Sequence, residues 1–192
     1  RLHEADEGSV RVNGVDVRDV DAIELRRGIG YVIQQSGLFP HMTVADNIAC
    51  VPKILKWDRA RIGRRVDDLL ELVHLDPNEF RDRYPAQLSG GQQQRVGLAR
   101  GLAAEPDIML LDEPFGAVDA ITRKSLQDEL LRIHRASGKT FIFVTHDVSE
   151  ALKLATKILV MDAGRVQQYG APEELLERPA TPFVAELFGA RA

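Results

Sequence analysis

The sequence lacks several features that would place the protein in a particular class. Cys50 is the only cysteine among 192 residues, so no intrachain disulfide forms and a disulfide-rich secreted fold is excluded. No apolar run approaches the ~18–20 residues that a membrane-spanning helix needs. The net charge is −4, which speaks against a generally basic surface for nucleic acid. Internal repeats and low-complexity linkers are also absent from the sequence.

The composition and the pattern of apolar residues predict an α/β fold. Hydrophobic residues make up 44% of the chain and charged residues 28%, which is typical of a globular domain with a core. Apolar runs predict strands at 28–33, 108–111, 141–145 and 157–161. The amphipathic segment 120–136 predicts a helix between two of them. Continuous apolar strands separated by helices favour a mostly parallel sheet covered on both faces.

Residues 43–104 have a helical pattern throughout. Val66, Leu69, Leu70 and Val73 recur at helical spacing, and Asp76-Pro77 is predicted to end their helix. We therefore expect a single domain of two parts. The sheet core comprises residues 1–42 and 105–192, and residues 43–104 form an inserted helical subdomain.

The run Leu88–Gln92, Leu-Ser-Gly-Gly-Gln, precedes an apolar-periodic helix. Ser89 is a good N-cap, and Gly90 and Gly91 leave backbone N–H groups uncovered by any Cβ atom. A helix N-terminus carries free donors and a partial positive charge, so this segment is suited to bind an anion. The alternative interpretation is an ordinary glycine-containing turn.

Two adjacent carboxylates, Asp112 and Glu113, end the apolar strand that begins sixteen residues after Gln92. Ligands of α/β proteins gather at this end of parallel strands. Because neighbouring strand residues point to opposite faces, we expect different roles for the two carboxylates. The alternative is a solvated acidic strand end.

Three further polar residues follow or precede predicted elements. Gln34 ends a strand, with Gln35 as the competing assignment, and His146 follows another strand. Asp119 precedes the helix 120–136. The alternative for Gln34 is an amide in a turn, and for His146 a structural histidine. The alternative for Asp119 is a helix N-cap, which is compatible with a functional role of the same residue.

In this order and at this spacing, the motifs resemble those of the ATPase subunits of ABC transporters. Leu88–Gln92 resembles their signature motif and Ile108–Glu113 their Walker B strand. The resemblance covers nearly the whole chain. It implies a P-loop NTPase-like fold, an ABC-type ATPase activity, and ATP and Mg²⁺ as cofactors.

The same resemblance implies roles for the polar residues. Asp112 corresponds to the residue that holds Mg²⁺, and Glu113 to the general base that acts on the attacking water. Gln34 corresponds to the glutamine that reaches the metal and this water, and His146 to the histidine that contacts the γ-phosphate. Four residues of the signature, Ser89, Gly90, Gly91 and Gln92, would face the nucleotide of a second subunit. Asp119 would lie at the interface between the two subunits.

One element of such a site is absent. The only Gly-Lys-Thr, within Ser137–Thr140, has Ile133 where the P-loop G-x-x-x-x-G-K-S/T requires glycine, and it follows a predicted helix. We therefore interpret it as a helix C-cap and turn. Only seven residues precede Gly8, too few for the missing strand, loop and helix. We expect the isolated chain to bind ATP poorly, to expose Leu110 and Val144, and to aggregate.

The segment from Gly30 to Val44 resembles importer ATPases, and with Val51–Trp57 it is most similar to the glycine betaine, choline and carnitine uptake group. This implies an osmoprotectant importer at the cytoplasmic face of the plasma membrane. The implied partners are a permease docked at residues 34–57, a second ATPase subunit and, indirectly, a solute-binding protein; no nucleic acid is expected.

Three other functions remain open at this point. The chain could be a non-catalytic fragment that pairs in trans through its signature, or the ATPase of an importer for another small solute. The third is an ABC ATPase of DNA repair or translation. The importer-like segment Phe39–Trp57 and the lack of a basic surface argue against that last possibility.

Overall fold

The computed structural model describes residues 3–34 and 37–189. The chain divides into two compact units, Arg1–Val144 and Thr145–Ala192.

The first unit opens with a β-hairpin. Strands β1 (Arg11–Val12) and β2 (Val15–Asp16) pair antiparallel around Asn13 and Gly14, whose φ angles are 51° and 81°. Positive φ at both central residues is the geometry of a tight hairpin turn, and Asn-Gly adopts it at little steric cost. A 3-10 helix over Val17–Asp19 and helix α1 (Ala22–Arg27) follow.

A three-stranded parallel sheet forms the centre of this unit. Strands β3 (Ile29–Val32), β4 (Ile108–Asp112) and β5 (Thr140–Val144) are hydrogen-bonded in that order. The parallel arrangement is as the sequence predicts, with boundaries within two residues. Because all three strands run the same way, their carboxyl ends lie at one edge of the sheet.

The two faces of the sheet differ in burial. Val32, Met109 and Leu111 lie on one face and are at most 3% exposed. On the opposite face, Ile142 is 54% and Val144 60% exposed. Within the described residues the sheet is therefore well covered on one face only, not on both. The exposure of Val144 agrees with the expectation from sequence, whereas Leu110 is half-buried.

The segment between β3 and β4 is helical. It contains α2 (Val44–Ile54), α3 (Arg59–Leu72), α4 (Pro77–Phe80), a 3-10 helix (Pro85–Gln87) and α5 (Gly90–Leu102). The predicted apolar stripe is correct, because Val66, Leu69 and Leu70 of α3 and Val73 directly after it are at most 2% exposed.

The prediction that Asp76-Pro77 ends helix α3 is wrong. The helix ends at Leu72, and His74 follows with a φ of 57°. Asp76 instead caps α4, because its carboxylate accepts a hydrogen bond from Asn78 N–H at 2.9 Å. An N-cap aspartate followed by proline at the first helical position is a signal for a helix start.

Helix α6 (Ala120–Ser137) connects β4 to β5 and buries Leu126 and Leu130. Its C-cap, Gly138, has a φ of 64°. The Gly-Lys-Thr sequence at this point is thus a left-handed helix cap leading into β5, as the sequence predicts.

The second unit is a small α/β assembly of its own. Helix α7 (Val148–Leu154) precedes the antiparallel strands β6 (Ile158–Asp162) and β7 (Arg165–Gly170). Helices α8 (Pro172–Glu177) and α9 (Pro182–Leu187) follow. Its core consists of Ile158, Val160, Leu175 and Val184. Across the described parts of both units, none of the helices has the length and apolar character to cross a membrane.

Candidate functional site

The signature run begins helix α5 through a reciprocal cap. The Ser89 hydroxyl accepts a hydrogen bond from Gln92 N–H at 3.3 Å, and the Gln92 side chain accepts one from Ser89 N–H at 2.8 Å. This capping box satisfies two of the donors that a helix start leaves unpaired. The N-cap prediction for Ser89 is confirmed, and the Gln92 amide oxygen is engaged in the cap.

The two glycines of the run have different surroundings. A Cβ atom at Gly90 would meet nothing within 4 Å, so the backbone there is open to an approaching ligand. A Cβ atom at Gly91 would lie 2.8 Å from Ala117 O. Gly91 therefore permits close backbone contact between the first turn of α5 and the turn that follows β4.

The two carboxylates at the end of β4 are in different conformations. Asp112 is the last residue of the strand and is half-buried. Glu113 lies just beyond the strand and has a φ of 45°, although its N–H still donates to Val144 O at 2.9 Å. Left-handed backbone at a residue other than glycine is uncommon and is often found at functional sites.

Gln34 and Glu113 meet at the carboxyl edge of the sheet. The Gln34 amide Nε2 donates to Glu113 Oε2 at 3.1 Å, across 79 positions of sequence. The strand order places β3 next to β4, so the ends of these strands are neighbours. The competing residue Gln35 lies outside the described residues.

The donors at this edge suit a magnesium ion that also binds phosphates. Asp112 supplies a half-buried carboxylate, and Gln34 supplies an amide group at the same edge of the sheet, where it contacts Glu113. Mg²⁺ in nucleotide sites is held by one or two carboxylates together with phosphate oxygens and water, rather than by a dedicated protein cage. No group of three or more His, Cys, Asp and Glu ligands occurs among residues 3–34 and 37–189.

Asp119 caps helix α6. Its carboxylate accepts a hydrogen bond from Thr122 N–H at 3.0 Å, and this bond holds the pKa of Asp119 below its usual range. The side chain is exposed and therefore remains ionised at neutral pH. The N-cap interpretation is confirmed, and a role at a subunit interface stays a prediction.

A buried residue without a predicted role links these parts. Gln94 in α5 is 3% exposed, donates to Glu113 O at 2.7 Å and accepts from Ala117 N–H at 2.8 Å. The sequence held one signal for it. Gln94 lies four and eight residues before the buried Leu98 and Leu102, so an amide occupies a position on the apolar face of the helix.

His146 belongs to the second unit, where it is exposed. Its neighbours make local hydrogen bonds. Thr145 donates to the buried Glu150 at 2.8 Å, and Asp147 caps α7 by accepting from Ser149 N–H at 2.9 Å. The N-cap interpretation of Asp147 is confirmed. The proposed contact of His146 with a γ-phosphate stays a prediction.

Comparisons with known proteins show the family of the chain. The family model described as "ABC transporter" matches residues 1–116. The glycine betaine uptake system ATP-binding protein of Escherichia coli is 55% identical over 189 residues, which cover 98% of this chain and 61% of that protein. The glycine betaine/carnitine/choline transport ATP-binding protein of Bacillus subtilis is 53% identical, with 98% and 50% covered. The chain thus spans about half to three-fifths of these relatives.

More distant relatives include a sulfate/thiosulfate import ATP-binding protein of Bordetella bronchiseptica. It is 50% identical over 98% of this chain and 53% of its own length. Among solved structures, a dimeric ATP-binding cassette bound to ADP and Pi superimposes with a TM-score of 0.80 at 33% identity. The match covers 89% of this chain and 76% of that one. On the family model, the identities and the fold together, the chain belongs to the ABC transporter family of ATP-binding proteins.

Proposed function

We propose that this chain is part of the ATP-hydrolysing subunit of an importer for quaternary amines such as glycine betaine, choline or carnitine. The observation that carries the proposal is the contact of Gln34 with Glu113 beside Asp112, at the carboxyl edge of a parallel sheet. The identities of 53–55% to glycine betaine, carnitine and choline ATP-binding proteins support the transported class.

In the proposed reaction, ATP and water give ADP and phosphate. Glu113 accepts a proton from the attacking water, and the Gln34 amide holds the carboxylate in place and helps to orient that water. Asp112 and Gln34 would hold Mg²⁺, which supplies positive charge to the phosphate oxygens when bound. His146 would donate a hydrogen bond to the γ-phosphate.

The signature segment is proposed to act on a second subunit. The open backbone at Gly90 and the start of α5 present N–H groups and a partial positive charge to an anion. The dimeric cassette with ADP and Pi supports a paired arrangement. In that arrangement Ser89, Gly90, Gly91 and Gln92 face the partner's nucleotide, and Asp119 lies at the interface.

A phosphate cradle is the part of the site that these 192 residues do not supply, because no P-loop motif occurs in the sequence. We therefore propose that the chain alone binds ATP weakly. Pairing in trans without catalysis is the second candidate function, and the lack of a P-loop is the observation that favours it.

The permease is proposed to contact a groove of about 310 Å³ beside strand β3. Its lining includes the apolar side chains Ile29, Tyr31, Phe39 and Val51 and the arginines Arg26, Arg27 and Arg100. The Arg100 guanidinium donates to Gly37 O at 2.8 Å and lies 5.7 Å from the Phe39 ring centre. An apolar segment with acidic groups is the matching occupant.

The loop at this groove is held by a buried asparagine. Asn47 is fully buried, accepts from Phe39 N–H at 2.8 Å and donates to Phe39 O at 3.1 Å and Met42 O at 3.2 Å. These bonds give residues 39–43 a defined shape without regular secondary structure. This loop of defined shape forms part of the surface that we propose for the permease.

The remaining parts of the proposal concern organisation and location. We propose one ABC ATPase domain, with a sheet core from residues 1–42 and 105–192 and a helical subdomain over 43–104. The protein would sit at the cytoplasmic face of the plasma membrane, bound to the permease. A solute-binding protein would act on the other side of that permease.

The test is ATP turnover and solute uptake by the natural gene product that contains this chain, assembled with its permease in vesicles. Replacing Glu113 with glutamine should keep ATP binding and lower kcat by about a hundredfold or more, because the proton acceptor is lost. The matched control is Glu71→Gln on the exposed face of α3. Unchanged turnover in Glu113→Gln would remove Glu113 as the base.

Uptake also identifies the solute. Radiolabelled glycine betaine should accumulate, and unlabelled choline or carnitine should compete. Accumulation of sulfate instead would favour an importer for another small solute, an alternative that the 50% identity to a sulfate/thiosulfate ATP-binding protein supports.

A further inference from the structure

Gln94 makes two long-range hydrogen bonds that the assigned motifs do not explain. Its Nε2 donates to Glu113 O at 2.7 Å and its Oε1 accepts from Ala117 N–H at 2.8 Å. The side chain is 3% exposed, so both bonds are shielded from water. A buried amide that satisfies two main-chain groups on another segment fixes that segment's position.

The segment fixed in this way is the turn that carries Glu113. Gly116 N–H donates to Glu113 O at 3.2 Å, and Glu113 N–H donates to Val144 O at 2.9 Å. Together with Gln94, these bonds engage the main-chain N–H and carbonyl of Glu113. Its left-handed φ of 45° is therefore imposed by the surrounding hydrogen bonds, which hold the base of the side chain in one orientation.

The same turn is joined to the signature run. The Cα of Gly91 approaches Ala117 so closely that a Cβ atom would lie 2.8 Å from Ala117 O. Gln94 begins the next turn of the same helix and bonds Ala117 N–H. Helix α5 thus contacts the turn at Glu113 and at both polar groups of Ala117, so the helix start and the turn are held against each other.

We propose that Gln94 is a positioning residue for ATP hydrolysis, which holds the Glu113 main chain and couples its orientation to the helix that begins with the signature run. The proposal rests on the proposed function, because Glu113 must be the proton acceptor for its orientation to matter. Gln94 acts through Glu113 and touches no reacting atom.

The second unit supplies a matched control. Gln168 makes the same pair of bonds: its Nε2 donates to Arg178 O at 3.1 Å, and its Oε1 accepts from Ala180 N–H at 2.8 Å. Gln168→Met removes the same bond types from a segment without a proposed catalytic residue. Gln94→Met is its counterpart, since methionine keeps the length of the side chain and lacks the amide.

The kinetic test compares these variants in the permease-assembled gene product. Gln94→Met should lower kcat at least about tenfold and leave the KM for ATP within about twofold, whereas Gln168→Met should leave both within about twofold. In a Glu113→Gln background, Gln94→Met should change the residual turnover by less than about twofold, because a residue that acts through Glu113 has nothing left to position. An equal loss in both backgrounds would overturn the proposal.

Hydrogen exchange keeps the test independent of activity. Amide exchange over residues 113–119 should be at least about tenfold faster in Gln94→Met than in the parent. Gln94→Glu retains the acceptor for Ala117 N–H and loses the donor to Glu113 O, so it should slow turnover while Ala117 stays protected. Full turnover in Gln94→Met despite faster exchange would refute the positioning role.

Failure of the proposed function gives a different result. In that case the parent and Glu113→Gln would show the same turnover, whatever residue occupies position 94. Unchanged exchange over 113–119 in Gln94→Met would refute the hydrogen-bonded link itself.

Discussion

Replacing Gly91 with alanine puts a methyl group against a main-chain oxygen that cannot easily move. The added Cβ would lie 2.8 Å from Ala117 O, whereas even a close carbon–oxygen contact is about 3.3 Å or longer. The carbonyl belongs to a turn that is held by Gln94, so relief requires the turn or the helix to shift. Forcing an extra carbon into a filled position costs about 1–3 kcal/mol of stability.

Gly90→Ala is the matched variant, because its Cβ would meet nothing within 4 Å. Both substitutions reduce the entropy of the unfolded chain and favour the helix by about 0.5–1 kcal/mol. This common gain cancels in the comparison, so Gly91→Ala should be about 1–3 kcal/mol less stable than Gly90→Ala. With a urea m-value of about 2 kcal/mol/M, the two midpoints should differ by about 1 M.

The assay is urea unfolding monitored by the fluorescence of Trp57, the only tryptophan. Trp57 lies in the same unit as α5, and the Arg61 guanidinium stacks 3.5 Å from its ring centre, so its emission should change on unfolding. Equal midpoints for the two variants would refute the steric reasoning. A higher urea midpoint for Gly91→Ala would show that the turn after β4 shifts to accommodate the added carbon without a loss of stability.

Two further predictions concern charge and a buried amide. The Arg18 guanidinium lowers the pKa of Asp16 to about 2, so the stability from this pair should be present above pH 4 and fall between pH 4 and 2. NMR of the Asp16 carboxyl carbon should show a titration midpoint near this low pKa. Arg18→Ala should raise the midpoint toward 3.8. A midpoint near 3.8 in the parent would contradict the pairing. Asn47→Ala should destabilise the first unit by about 2–4 kcal/mol, because it leaves several main-chain groups of residues 39–43 without partners, and Phe39 N–H exchange should accelerate. Unchanged exchange at Phe39 would show that the loop holds its shape without Asn47.

Local features of the site were predictable because local chemistry determines them. The capping box at Ser89 and Gln92 depends on residues three positions apart, and the left-handed cap at Gly138 depends on one glycine. The contact of Gln34 with the end of β4 was also predictable. Parallel strands bring their carboxyl ends to one edge, and the resemblance assigned Gln34 and Glu113 to the same attacking water.

The features that sequence reasoning missed depend on tertiary contacts. Glu113 was expected at the end of a strand, but bonds from Gly116 and Gln94 hold it just beyond, in a left-handed conformation. No local signal distinguishes those two states for a glutamate. The role of Gln94 depends on partners 19 and 23 positions away. Its position on the apolar face of α5 was the one available hint.

The expected cover on both faces of the sheet was wrong for a similar reason. An apolar strand shows that its side chains can be buried, but not which segment lies against them. Met109 and Ile142 are both apolar, yet one is fully buried and the other 54% exposed.

At position 113, the residues that best suit the left-handed backbone lack a side chain long enough to reach Gln34. Glycine or asparagine would relieve the strain of a φ of 45°, and either would remove the long carboxylate that meets Gln34. Under the proposed role of Glu113 as proton acceptor, selection for turnover would retain a residue that selection for folding alone would not favour. Position 113 would then be one at which the residue best for folding and the residue best for ATP hydrolysis are different amino acids.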